Sequence, residues 1–474
     1  MEDEQETSEY LKLGQKIPTS EKFYFGIGVL ANTILTGIVA LYLTDYYLNE
    51  MKIRYELFII ANVIFLFYNA LNDVFFGFYA DRTKHRLGRR IPYIRYGAPI
   101  FAIAFIYFWF PLPGSNPGDL YSGQMIKFFQ LLTAYLFFDT MLTIVILSIV
   151  ALPPEMSEST EERTSIALYN TIFAAVGGVV ILVVPIIMSL GLDIFRIFIL
   201  IMAGVSTIAY LILSYGIKER KELHKPSADL ENMNILKEIG QTFRNKTFIT
   251  FLIFNFCIVY MNIMALSFTP FFCNIFGLEG ESSTILLLNF YLGFLIGMPA
   301  YLYLGKKIAI RTIIIGIAII CFIGIFILFL TDLLFNLTEV YRAIIVLDGI
   351  LAGMALFYYP YISDSIDIDE LNTGRRREGM HFGINALITK PAEELPKIVG
   401  VSILLITGYV QGGSAARQPI SAINGLKFML AVIPMLFIIL IIFSQIINPL
   451  KGDYLKEMKR NLITLHEQKK AENK

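Results

Sequence analysis

The chain has 474 residues, 39 Lys and Arg against 39 Asp and Glu, and is 56% hydrophobic but only 16% charged. Soluble domains carry roughly 25% charged residues, so this balance, with a mean hydropathy of +0.62, places the chain in a membrane. Zero net charge argues against a nucleic-acid partner, and neither the 3 cysteines nor the 4 histidines show the spacing of a metal or redox site.

The first residues (MEDEQETSEY) are polar and acidic, with no short apolar region of the kind a cleavable signal peptide needs. About twelve apolar runs of spanning length follow, near 23–47, 55–80, 93–112, 124–152, 166–190, 194–217, 247–272, 284–304, 312–332, 340–363, 380–408 and 425–447. Basic residues concentrate in alternate connections: Arg82 to Arg90, Lys218 to Lys246, Lys306, Lys307 and Arg311, and Arg375 to Arg377. The opposite connections are poor in them, with Lys52, Arg54 and Arg417 the exceptions. Both termini and the long central loop are therefore expected in the cytoplasm.

The polar stretch 218–246 divides the chain into an N-terminal bundle, 1–217, and a C-terminal bundle with its tail, 247–474. Each half repeats one plan: a glycine and a basic turn after its second span, and an acidic loop ending in arginine after its fourth. Gly77 to Arg90 is echoed by Gly305 to Arg311, and Glu155 to Arg163 by Asp364 to Glu378. Duplication of this kind is a transporter signature, with the substrate site expected between the halves near midplane. The expected fold class is an all-α membrane protein of twelve helices in two pseudo-symmetric halves.

Several charged and polar residues fall inside apolar runs, where each costs free energy unless paired and marks a functional position. Asn69, Asn72 and Asp73 stand at i, i+3 and i+4, on one helix face; Asp73 precedes Ala80 by seven residues, roughly 10 Å along a helix. Asp139 and Thr143 share a face of the fourth span, with Asp139 either a substrate or proton ligand or a lining of an outer vestibule. The eleventh run holds KPAEELPK (390–397), in which Lys390 with Glu394 and Glu393 with Lys397 stand at i, i+4. Pro391 and Pro396 are expected to break regular hydrogen bonding there, as in the interrupted helices of transporter sites. The segment suits a charged or zwitterionic substrate, or proton coupling. Pro360 is expected to kink the tenth span. Asp81, Arg82, Arg89 and Arg90, with Glu162, Arg163, Asp367, Arg376 and Glu378 from the other charged loops, are candidates for an inner gate latch, or for plain surface solvation.

Three stretches, NALNDVFFGFYADRTKHRLGRRIPYI (69–94), ALPPEMSESTEERTSIALYN (151–170) and DSIDIDELNTGRRREGMHFGINALITK (364–390), resemble the glycoside–pentoside–hexuronide:cation symporters of the major facilitator superfamily. The resemblance covers essentially the whole chain and implies the major facilitator fold. It also implies a sodium or proton as coupling ion, held by Asn69, Asn72, Asp73, Thr143 and Lys390. The family's pair of span-2 acids is reduced here to Asp73, with Asn69 at the other position, so Asp73 is open to pairing with Lys390, to taking up a proton, or to a purely structural ion pair. At the family's sugar-binding positions stand Thr33, Ile146, Val150 and Thr171, without the acids, arginine and tryptophan of sugar recognition. FFDTMLT (137–143) resembles the branch of the sodium-dependent lysophosphatidylcholine symporter.

The expected function is thus cation-coupled symport of a small organic solute, sugar- or glycoside-type by resemblance, by a multi-pass protein of the cell membrane. A lysolipid or other amphiphile is the alternative cargo, and a non-transporting membrane scaffold or sensor the alternative class. No nucleophile–base pair or metal set points to an enzyme. No cofactor beyond Na+ or H+ is expected. The expected partners are the solute, the cation and membrane lipid, and a monomer is expected.

Overall fold

The computed structural model describes residues 17–81, 85–88, 90–156, 160–217, 240, 242–275, 281–305, 307–335, 340–374 and 377–450, with isolated residues of the tail. Among the described residues the fold is all-helical. The chain divides into two compact units, one of Met1–Ala228 with Glu279–Thr284, the other of Asp229–Leu278 with Ile285–Lys474.

The first unit contains α1 (Thr19–Asp45), α2 (Tyr55–Asp81), α3 (Ile91–Tyr107), α4 (Gln124–Val150), α5 (Thr160–Leu182) and α6 (Leu192–Gly216). The second contains α7 (Lys246–Ser267), α8 (Glu281–Gly305, from Ile285 onward), α9 (Ile310–Phe335), α10 (Val340–Ala352), α11 (Tyr358–Thr373), α12 (Glu378–Thr407), α13 (Ile420–Lys427) and α14 (Ile433–Ile447). Nine helical stretches among the described residues are long and apolar enough to cross a membrane. The other predicted spans fall on α2, α3 and α12. Of these α3 is only 17 residues long, roughly 25 Å, while α2 and α12 carry the acids and lysines singled out above.

An aromatic cluster fixes the interior of the first unit. Trp109 lies 5.2 Å, ring centre to ring centre, from both Tyr46 and Phe195, and Phe108 lies 5.4 Å from Phe138. The phenols of Tyr46 and Tyr47 donate to the carbonyl oxygens of Trp109 and Phe108, at 2.8 and 3.2 Å, so these two hydroxyls are satisfied without water. Because Phe138 belongs to this cluster, the rotation of α4 is set by aromatic packing and not by the polar residue that follows it.

The two units end their last helices by the same device. In the first, Arg95 of α3 donates to the Ser214 carbonyl at 2.7 Å and lies 3.7 Å over the Tyr215 ring. In the second, Arg311 of α9 donates to the Gln445 and Ile446 carbonyls, at 2.5 and 3.4 Å. A guanidinium on the orphan carbonyls of a C-terminus answers both their missing hydrogen bonds and the helix dipole.

Close backbone approach joins α8 to α10. A Cβ added at Gly293 would stand 1.9 Å from the Val346 carbonyl oxygen, and one at Gly349 2.0 Å from that of Phe290. Only glycine permits this seam, and small residues are the usual means of bringing two helices together in lipid. The helix interruption also lies in this region. After α10 the backbone tightens into a 3-10 segment, Gly353–Phe357, before α11 begins. Pro360 supplies a local reason, since it has no N–H to offer the carbonyl of residue 356. By contrast α12 continues through Pro391 and Pro396, which corrects the expected break there: each proline removes a single hydrogen bond, and the rest of the ladder carries the helix past it.

Gly349→Ala is expected to destabilise the protein by about 1–3 kcal/mol or more through overpacking against backbone that cannot yield. Gly316→Ala, where nothing lies within 4 Å of the new methyl, serves as the control. Thermal midpoints of the two purified variants in one detergent check this.

Candidate functional site

The seam between α2 and α4 carries a ladder of polar contacts. Tyr135 donates to Asn62 at 3.2 Å, and its ring stacks on Phe65 at 4.6 Å. The Tyr68 and Thr140 hydroxyls lie 2.5 Å apart. Farther along, the Asn72 amide Nδ2 donates to both Asp139 Oδ2 and Thr143 Oγ1, each at 2.9 Å. Both helices advance in the same direction through these rungs, so α2 and α4 run parallel, and the i, i+4 spacing of Asp139 and Thr143 presents both acceptors to one amide.

Asp139 and Thr143 are 3% and 4% exposed. A carboxylate so placed in a spanning helix is stabilised by hydrogen bonds to its charged form and by nearby positive charge. Asn72 supplies the first. One turn earlier on α2, Asn69 is equally buried, and its Oδ1 accepts no hydrogen bond among the described residues. A buried acceptor without a donor is costly, and a cation is one ligand that removes the cost. A carboxylate with neutral amide and hydroxyl oxygens is a donor set suited to a hard monovalent ion. The backbone of Asp73 belongs to α2; its side chain lies outside the described residues.

The remaining sequence candidates are distributed as follows. Thr33 and Thr171 donate to the carbonyls of Val29 and Ala167, both at 3.0 Å, so each hydroxyl is turned back on its own helix. Lys390, in the second unit, reaches Glu393 at 3.9 Å, while Glu394, 3% exposed, binds Lys397 at 3.0 Å. The expected pairing of Lys390 with Glu394 is therefore replaced by i, i+3 pairs. With Glu394 preceding Lys397, the pair also lies favourably along the helix dipole.

Of the latch candidates, Arg90 is buried at the start of α3. Glu162 accepts from the Ile17 backbone N–H and binds Lys22, both at 2.9 Å, fastening the start of α1 to α5. Asp367 is buried on α11. The side chains of Asp81, Arg82, Arg89, Arg163, Arg376 and Glu378 lie outside the described residues. A pair that the sequence reading passed over joins α11 to α12. Arg377 Nε donates to Asp369 Oδ2 at 2.8 Å and Arg377 NH2 to Asp369 Oδ1 at 2.5 Å, with both residues buried. Among three consecutive arginines, spacing alone gave no way to choose this one.

The second unit has its own polar junction. Asn255 of α7 donates to Asn385 Oδ1 and Thr389 Oγ1 of α12, both at 3.0 Å, and Asn385 donates to the Tyr358 hydroxyl at 3.0 Å. Asn385 and Thr389 were missed, although their i, i+4 spacing in an apolar run is the signal that singled out Asp139 and Thr143. Three more charged residues lie inside apolar runs. Lys427 Nζ binds Asp332 Oδ2 at 2.7 Å, which also accepts from Tyr341 at 3.0 Å, and Asp348 is buried on α10.

The comparisons with known proteins agree with this architecture. The model of the family described as "MFS/sugar transport protein" matches residues 24–451. The chain belongs to that family. It is 24% identical over 421 residues to transmembrane protein 180 of Gallus gallus, covering 80% of this chain and 79% of the relative. It is 25% identical over 478 residues to the uncharacterized symporter YnaJ of Bacillus subtilis (strain 168), covering 94% and 95%. With the raffinose carrier protein of Pediococcus pentosaceus it shares 24% identity over 454 residues, covering 90% and 68%. Among solved structures it resembles a D-xylose–proton symporter, with a TM-score of 0.64 at 12% identity, over 89% of this chain and 96% of that one. The protein is accordingly a multi-pass membrane transporter with the major facilitator fold, and not an enzyme.

Asn72→Leu should strip a buried carboxylate and a buried hydroxyl of their shared donor and cost about 1–3 kcal/mol. Asn69→Ala, at a side chain whose Oδ1 accepts nothing, should cost less. Thermal unfolding in detergent at low sodium and neutral pH distinguishes the two.

Proposed function

We propose that this transporter couples the movement of a cation, Na+ or H+, to symport of a small organic solute of the sugar or glycoside class by alternating access. The cation site is assigned to the α2–α4 seam. The observation that carries the reading is the Asn72 amide bridging Asp139 and Thr143 beside the Asn69 Oδ1, which has no partner among the described residues, in a chain of a sugar-transport family with a symporter and a raffinose carrier among its relatives.

In this reading Asp139 supplies the charge, Thr143 and Asn69 supply neutral oxygens, and Asn72 holds the acid and the hydroxyl in register. Asp73 and Lys390 stay in the assignment on the family resemblance. A cation favours transport only if it binds one conformation more tightly than the other. The α2–α4 spacing provides that difference, because parting the helices separates the amide of one from the carboxylate of the other. Twelve spans with both termini cytoplasmic, and a latch drawn from Asp81, Arg82, Arg89, Arg90, Glu162, Arg163, Asp367, Arg376 and Glu378, complete the scheme. The Thr33 and Thr171 hydroxyls and the Glu393 and Glu394 carboxylates are the solute-facing candidates, and the two acids admit a charged or zwitterionic solute as well as a neutral one.

Uptake into proteoliposomes is the test, with raffinose, xylose and simple glycosides offered under an inward sodium gradient or an inward proton gradient. One gradient should accelerate uptake, and Asp139→Asn and Asp73→Asn should each reduce that stimulation at least tenfold while inserting normally. Stimulation unchanged in Asp139→Asn would remove that residue from the site. Uptake of lysolipid alone would replace the solute class, and no uptake of any solute would favour a non-transporting membrane protein.

A further inference from the structure

Asp348 has no part in the scheme above, and its surroundings set it apart from Asp139, Asp332, Asp369 and Glu394. It stands eight residues into α10, roughly 12 Å along the helix, within the spanning stretch Val340–Thr373. It is 5% exposed, and neither carboxyl oxygen has a hydrogen-bond partner among the described residues. Asp139 has Asn72, Asp332 has Lys427 and Tyr341, Asp369 has Arg377, and Glu394 has Lys397.

Among the described residues, the elements packed around it supply no cation. On α9 the nearby ionisable group is the buried thiol of Cys321, which carries no positive charge. On α8, Tyr301 spends its hydroxyl on the Ile350 carbonyl. The turn Phe428–Val432 carries no ionisable residue, and the buried base just before it, Lys427, is held by Asp332 at 2.7 Å. On α7, Tyr260 is stacked on Phe437 at 4.4 Å, and Cys257 is a buried thiol.

A metal ion needs several oxygens around it, and would have to part the α8–α10 seam where Gly349 meets the Phe290 carbonyl. A proton needs no room.

We propose that Asp348 is a proton-binding carboxyl, a second ion site of this transporter, separate from the α2–α4 seam and carried by the other unit. A bare charge at this depth costs several kcal/mol, so the folded seam holds the acid neutral. Losing the proton to water requires the helices around it to admit water or a cation. Proton release is thereby tied to movement of α10, whose regular winding already gives way to the 3-10 segment Gly353–Phe357 within two turns of Asp348. Mid-helix segments of this kind often mark hinges.

Infrared spectroscopy of the full-length protein in liposomes tests this without any solute, so its outcome is independent of the uptake assay. An isolated protonated carboxyl gives a resolved C=O stretching band that shifts in D2O and loses intensity reversibly as pH is raised. The wild-type difference spectrum should contain such a band, Asp348→Asn should lack it, and Asp348→Glu should move its frequency. If Asp348→Asn fails to fold, the shift in Asp348→Glu decides alone. A band unchanged by the substitutions that can be measured, or no difference assignable to residue 348, overturns the proposal.

Discussion

A carboxylate inside a lipid bilayer has to be answered by something, because the surrounding hydrocarbon offers neither hydrogen bonds nor dielectric screening. In the first unit Asp139 is answered by Asn72, and much of the unit can be traced to that contact. Asn72 reaches the acid only because α2 and α4 run parallel through the earlier rungs at Asn62–Tyr135 and Tyr68–Thr140. Those rungs hold register because α4 is seated by the aromatic cluster around Trp109. The hydrophobic part of the unit therefore aims its polar part.

The second unit deals with its charges differently. Three ion pairs, Arg377–Asp369, Lys397–Glu394 and Lys427–Asp332, neutralise buried charge locally. Removing one partner of such a pair costs more than the pair contributes to stability, since it leaves an uncompensated charge in low dielectric. Such pairs are well suited to fixing which helices meet, and two of the three join different helices. Asp348 is the exception, and the backbone contacts at Gly293 and Gly349 make its neighbourhood the least able to admit a counterion.

Membership of a sugar-transport family does not by itself supply a sugar site. Thr33 and Thr171, the proposed solute-facing hydroxyls, both bond their own helix backbones. The polar groups held in place here are the amide, hydroxyl and carboxylate of the α2–α4 seam and the Asn255–Asn385–Thr389–Tyr358 junction. Amide, hydroxyl and carboxylate groups of this kind recognise a ligand through hydrogen bonds.

Composition and hydrophobic run lengths determined that the chain is helical and crosses a membrane many times, because in lipid only a helix satisfies an apolar stretch of that length within itself. Local spacing likewise determined that Asn69 and Asn72 share one face and Asp139 and Thr143 another, since helical periodicity is a property of the sequence alone. It did not determine which faces meet. That Asn72 lies against Asp139, that Glu394 takes Lys397 instead of Lys390, and that Arg377 rather than its neighbours binds Asp369 depend on helix rotation and axial register, which are set by side chains far along the chain. The broken helix shows the same division. Prolines mark where a hydrogen bond is lost, at Pro360, Pro391 and Pro396 alike, but whether the helix gives way depends on what packs against it. It continues past Pro391 and Pro396 and tightens at Gly353–Phe357, just before Pro360.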